Sequence, residues 1–107
     1  MAPFTRPAAG FEAHIEWVAE PRDRELLFAP PIVALWGADP AVLDEPLVIQ
    51  FSVNARGRVV SVWSPQLDDD GILSSAQNSL LKYRFEPAEI ADDQQATLHV
   101  MAAPDSR

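Results

Sequence analysis

The chain has 107 residues, 48% of them hydrophobic, which is enough for one core and one domain. Sixteen acidic residues against eight scattered basic ones leave a formal charge of -8, so the counterion release that drives nucleic-acid binding is missing and an anionic membrane is a poor partner. The absence of cysteine excludes a disulfide framework, thiolate metal ligation and a cysteine nucleophile.

Residues 1 to 10 are rich in Pro and Ala, carry no apolar signal-peptide core and read as a disordered lead-in to a domain over residues 11 to 107. Phe11, Ala13, Ile15 and Trp17 then alternate with Glu12, His14 and Glu16, the period of a half-buried strand. Between Glu20 and Pro46 five prolines interrupt the chain, so only short helical pieces are expected: Arg24 to Phe28, Ile32 to Trp36, and a turn capped by Asp39 before Pro40.

From Leu47 the pattern sharpens. Leu47, Ile49, Phe51 and Val53 alternate with Val48, Gln50 and Ser52, which gives a strand with one strongly apolar face. Asn54-Ala55-Arg56-Gly57 supplies turn chemistry, with Gly57 free to take the positive φ of a bulged hairpin. Arg58 to Ser64 returns as the partner strand until Pro65 ends it. Ile72, Leu73, Ala76, Leu80 and Tyr83 recur at helical spacing, so a helix is expected from Ile72 to Arg84. Asp69 or Asp70 would cap it, and Lys82 and Arg84 would lie at its negative end. Pro87 stops it. Gln95 to Ala102 reads as a last strand, with Ala96, Leu98 and Val100 on one face and Thr97, His99 and Met101 on the other. The fold class that follows is α+β: a small antiparallel sheet of three to four strands with one main helix packed on one face, and Phe85 in the core.

Few constellations suggest chemistry. His14 and His99 are the only histidines, sit on distant strands without ligand spacing, and are expected to be half-exposed strand residues. Asp68-Asp69-Asp70-Gly71 lacks the alternating acids and distant Glu of a calcium loop. Ser74-Ser75 has no Gly-x-Ser-x-Gly elbow, and four dispersed glycines form no phosphate cradle. Trp17, Trp36 and Trp63 read as core and rim aromatics before they read as a stacking set. No cofactor, no metal and no enzymatic activity is expected.

Two segments, Val53-Asn54-Ala55-Arg56-Gly57-Arg58-Val59 and Tyr83-Arg84-Phe85-Glu86-Pro87, resemble the hairpin turn and the Arg-Phe-x-Pro helix end of the TonB C-terminal domain family, over about residues 47 to 101. The family's opening Tyr-Pro and Gly-x-x-Gly have no counterpart, and Phe11 to Val18 is an added strand-like segment. The resemblance implies a periplasmic energy-transducer-like domain that captures an extended segment of an outer-membrane receptor by strand addition. On this chain the capturing edge would be the last strand, with Gln95, Thr97, His99 and Met101 facing the partner. It further implies an inner-membrane anchor and linker before Ala2, through which a motor complex would act. The alternative is a structural or assembly domain of an envelope secretion or pilus machine, joining subunits through the same edge. An open edge also permits a strand-exchanged homodimer. Phe11 to Val18 discriminates the two readings, because pairing beside Gln95 to Met101 would block the edge.

Overall fold

The computed structural model describes residues 11–18, 24–35, 45–66 and 71–102. Their order is strand β1 (Phe11–Trp17), strand β2 (Leu26–Phe28), a 3-10 turn (Val33–Leu35), strands β3 (Leu47–Val53) and β4 (Val59–Trp63), helix α1 (Ile72–Leu80), strand β5 (Arg84–Phe85) and strand β6 (Gln94–Ala102). The lead-in at 1–10, Trp36, the Asp39-Pro40 turn and the Asp68–Asp70 run lie outside the described residues.

Four strands form one antiparallel sheet in the order β1-β6-β3-β4, and β2 and β5 form a second, two-stranded sheet. This is the α+β architecture that the patterning implies. Alternation decides the faces: Phe11 and Trp17 of β1, Leu47, Ile49, Phe51 and Val53 of β3, and Ala96, Leu98 and Val100 of β6 all enter one core. On the same side α1 contributes Ile72, Leu73, Ala76 and Leu80, and the 3-10 turn and the residue before it add Leu35 and Ile32. Tyr83 and Phe85 are among the largest buried side chains, with Trp17 set edge-on to Phe85 at 5.3 Å and Phe51 stacked on it at 6.0 Å between ring centroids.

Three local expectations are corrected. Arg24 to Phe28 is not helical: Leu26–Phe28 is a strand paired with β5, because Glu25 and Glu86 exchange bonds there, the Glu86 amide donating to the Glu25 carbonyl at 2.9 Å. The short helical piece expected from Ile32 does form, as the 3-10 turn Val33–Leu35 closed by the Leu35 amide on the Ile32 carbonyl, while Trp36 lies outside the described residues. Helix α1 ends at Leu80, not Arg84: the Lys82 and Tyr83 amides tighten onto the Ser79 and Leu80 carbonyls, and Phe85 is drawn into extended backbone where its amide donates to the Gly57 carbonyl at 2.8 Å. The N-cap is Gly71 at φ 74° rather than an Asp, with no side-chain cap bond. Lys82 and Arg84 therefore lie past the last helical turn. The apolar stripe survives both changes, since all five of its predicted residues are buried.

The hairpin matches its expectation. Gly57 has φ 90°, its amide donates to the Asn54 carbonyl at 3.0 Å, and the Asn54 side-chain oxygen accepts from the Arg56 and Arg58 amides. β3 outruns β4, which pairs only with Gln50 to Val53. The exposed main chain of Val48 is met by side chains instead: its amide donates to Gln66 Oε1 at 2.8 Å and its carbonyl accepts from Ser64 Oγ at 2.7 Å.

Candidate functional site

β6, the expected capturing edge, is not an edge. β1 runs antiparallel beside it in unbroken register from Phe11↔Ala102 to Trp17↔Ala96, and β3 occupies its other side. The Val18 amide extends the pairing by donating to the Gln95 carbonyl at 3.0 Å. Placing Gln95, Thr97, His99 and Met101 on an open edge is thus corrected: their main chain faces β1, and they present only side chains, on the sheet face away from α1. The alternation of Phe11 to Trp17 revealed a strand but carried no information on its neighbour.

On that outer face His14 and His99 stand directly opposite each other, with rings stacked at 4.7 Å and 12°. His99 Nε2 lies 3.2 Å from Glu16 Oε1. Both histidines are strand residues on a partly solvated face, as expected. Among the described residues no set of three His, Cys, Asp or Glu side chains could hold a metal ion. Trp17 faces the core from β1 while Trp63 is exposed on β4 at the far side of the sheet, so these two do not converge on a ligand. Ser75 and Ser79 bind the segment before the helix: Ser75 Oγ accepts from the Ala34 amide and Ser79 Oγ donates to the Pro30 carbonyl at 2.7 Å. They line an open hollow with Pro30, Pro31, Val33 and Lys82. Both histidines sit across the sheet from it.

The two motifs that carry the family resemblance meet each other. Gly57 lies so close to β5 that a Cβ there would stand 2.7 Å from the Phe85 carbonyl carbon and nearer still to its oxygen. The Ala88 amide donates to the Ala55 carbonyl at 2.9 Å, and Arg58 bridges Arg84. Arg24, 5% exposed, ties the junction together from behind. Its Nη2 donates to the Glu86 carbonyl at 2.7 Å and the Asn54 carbonyl at 3.1 Å, its Nη1 to Gln94 Oε1 at 3.2 Å, and its Nε to the Glu86 carbonyl at 3.1 Å. Burial lowers its pKa from the usual value and nearby Glu86 opposes that shift. The planar five-donor fork suits a site with three separate acceptors. Reading the sequence missed Arg24, because its partners lie 30 to 70 residues away.

The cations are not dispersed in space. Arg56, Arg58 and Arg84 are exposed at the contact between the hairpin turn and β5, and Lys82, exposed too, lies two residues before Arg84 at the rim of the hollow with Pro30 and Pro31. Arg84 stands opposite Arg58 on one side and opposite Phe28 on the other. Phe28 is 55% exposed and Leu27 57%. Arg84 Nη1 donates to the Tyr83 carbonyl, and among the described residues none of the four cations makes an ion pair. Among those residues, too, no helix is long and apolar enough to cross a membrane. Comparison of the chain with protein-family models, with curated proteins and with solved structures gives no match.

Proposed function

We propose that this chain is a protein-binding domain of the cell envelope, used to join neighbouring proteins in an assembly rather than to pull on a receptor through its last strand. The observation that carries the reading is the seven-residue pairing of β1 along β6, which occupies the main-chain donors and acceptors a captured segment would need. The periplasmic location, the membrane anchor and the envelope partners rest on the resemblance of the hairpin and the Arg-Phe-Glu-Pro segment to the TonB C-terminal domain family. The arrangement asks for recognition by surface, and no catalytic step is part of it.

Backbone amide hydrogen exchange on the whole chain tests this reading, with β1 and β6 followed residue by residue. Main-chain bonds on both sides of β6 should protect its amides continuously, together with those of Glu12, His14 and Glu16. Alternating fast and slow amides along Gln95 to Met101, with Phe11 to Val18 unprotected, would overturn the assembly reading and return the domain to receptor capture.

A further inference from the structure

We propose that the row Phe28, Arg84 and Arg58, flanked by Arg56 and Lys82, is the docking surface for an acidic, apolar-anchored segment of a partner protein. This deepens the protein-binding reading above and rests on it. Residues directly opposite in a β ladder share a face, so Phe28, Arg84 and Arg58 sit side by side across three segments of chain. Two arginines opposite one another repel, and nothing in the local fold relieves that repulsion, since neither meets a described carboxylate. Folding alone would be better served by an acid at either position.

The patch is also an exception to the rest of the molecule. A chain of charge -8 sets the exposed Arg58 and Arg84 opposite each other, with Arg56 in the adjoining turn and Lys82 two residues before Arg84, beside the exposed Phe28. Arginine with an aromatic neighbour is the composition of an interface anchor, the guanidinium pairing with carboxylates while the ring takes an apolar side chain. Carboxylates on the partner would supply the charge that the Arg58 and Arg84 pair lacks. A long polyanion or an anionic bilayer would have to approach the remaining acidic surface as well, which the net charge opposes. The occupant is therefore a short acidic peptide segment with at least one large apolar residue.

The test titrates the whole chain into labelled peptides of about eight residues that alternate Glu and Leu, Gln and Leu, or Lys and Leu, read by fluorescence anisotropy. The Glu-Leu peptide should bind more tightly than the Gln-Leu peptide by about tenfold or more. That advantage should shrink between ~20 mM and ~300 mM salt, as screening shortens the reach of the charges. Arg58→Glu should abolish the preference while raising the thermal midpoint, because it converts the repelling pair into an attracting one. A role only in folding would not move stability and binding in opposite directions. Arg56→Glu and Lys82→Glu, in turns on either side, should weaken binding without a loss of stability, and Phe28→Ser should weaken both the Glu-Leu and Gln-Leu peptides.

Equal binding of the Glu-Leu and Gln-Leu peptides would overturn the charge-based proposal and leave the protein-binding reading standing. Failure of all three peptides would also overturn it, while hydrogen exchange separately decides the assembly reading. Tighter binding of single-stranded DNA or of phosphatidylglycerol vesicles than of the Glu-Leu peptide would reassign the patch to a polyanion. Sedimentation showing a dimer that Arg58→Glu dissociates would reassign it to a second copy of the chain.

Discussion

Gly57→Ala and Gly71→Ala form a matched pair that isolates the contact between the hairpin and β5. Both glycines have positive φ, 90° and 74°, so an alanine at either pays the left-handed penalty of about 1–2 kcal/mol. At Gly71 none of the described residues lies within 4 Å of the added methyl, and the loss should stop there. At Gly57 the methyl would occupy the Phe85 carbonyl, so β5 must retreat. Retreat sacrifices the Phe85 amide bond to Gly57 and strains the Ala88 amide bond to Ala55, each worth about 0.5–1.5 kcal/mol net. Gly57→Ala should therefore cost about 2–5 kcal/mol in all, against about 1–2 kcal/mol for Gly71→Ala. The difference, about 1–3 kcal/mol, corresponds to a gap of roughly 4–24 °C between the two thermal midpoints for a domain of this size. Urea melts of both variants with equal m-values would measure it directly. A difference below about 0.5 kcal/mol would refute the close approach of Gly57 to Phe85 and, with it, the placement of Arg58 opposite Arg84.

Two further outcomes follow from buried polar groups. Arg24→Ala leaves the part-buried Glu86 carbonyl without its donor and removes one bond each from the Asn54 carbonyl and the Gln94 side chain, and should lower stability by about 2–4 kcal/mol in denaturant melts, with Arg24→Lys recovering only part because one ammonium cannot span all three acceptors. A loss under about 0.5 kcal/mol for Arg24→Ala would show that the junction is held without it. Tyr83, the only tyrosine, is 1% exposed, and burial raises its pKa well above the usual value. Its phenol is neutral in the folded chain at pH values where the unfolded chain ionises, so this contribution is fully present below about pH 10 and declines above it by about 1.4 kcal/mol per pH unit until the raised folded pKa is passed. Phenolate absorbance at 295 nm should thus appear only with unfolding. A native chain that titrates reversibly near pH 10 would refute the burial.

Much of this molecule was open to sequence reasoning where the determining interaction is local or periodic. Period-two alternation located β1, β3 and β6 and sorted their side chains onto the correct faces, because burial on one side of a pleat leaves that signature whatever the neighbouring strand. The positive φ of Gly57 followed from turn chemistry within four residues, and the apolar stripe of α1 from helical spacing.

What sequence could not supply was the identity of each neighbour. β2 and the end of α1 were misassigned because Leu26–Phe28 and Arg84–Phe85 have little intrinsic bias toward strand over helix at that length, and pairing with each other and with Gly57 decides them. The candidate edge failed for the same reason: the alternating pattern of Phe11 to Trp17 reads identically whether it lies beside β6 or beside β4. Charge behaved likewise. Arg58 and Arg84 are far apart in sequence, and only the docking of β5 onto the hairpin turn sets them opposite each other. Patterning along the chain settled which side chains are buried, since that is a property of each segment's own period. The tertiary fold alone settled which main-chain edges stay open and which charges stand together, since both depend on contacts between residues remote in sequence.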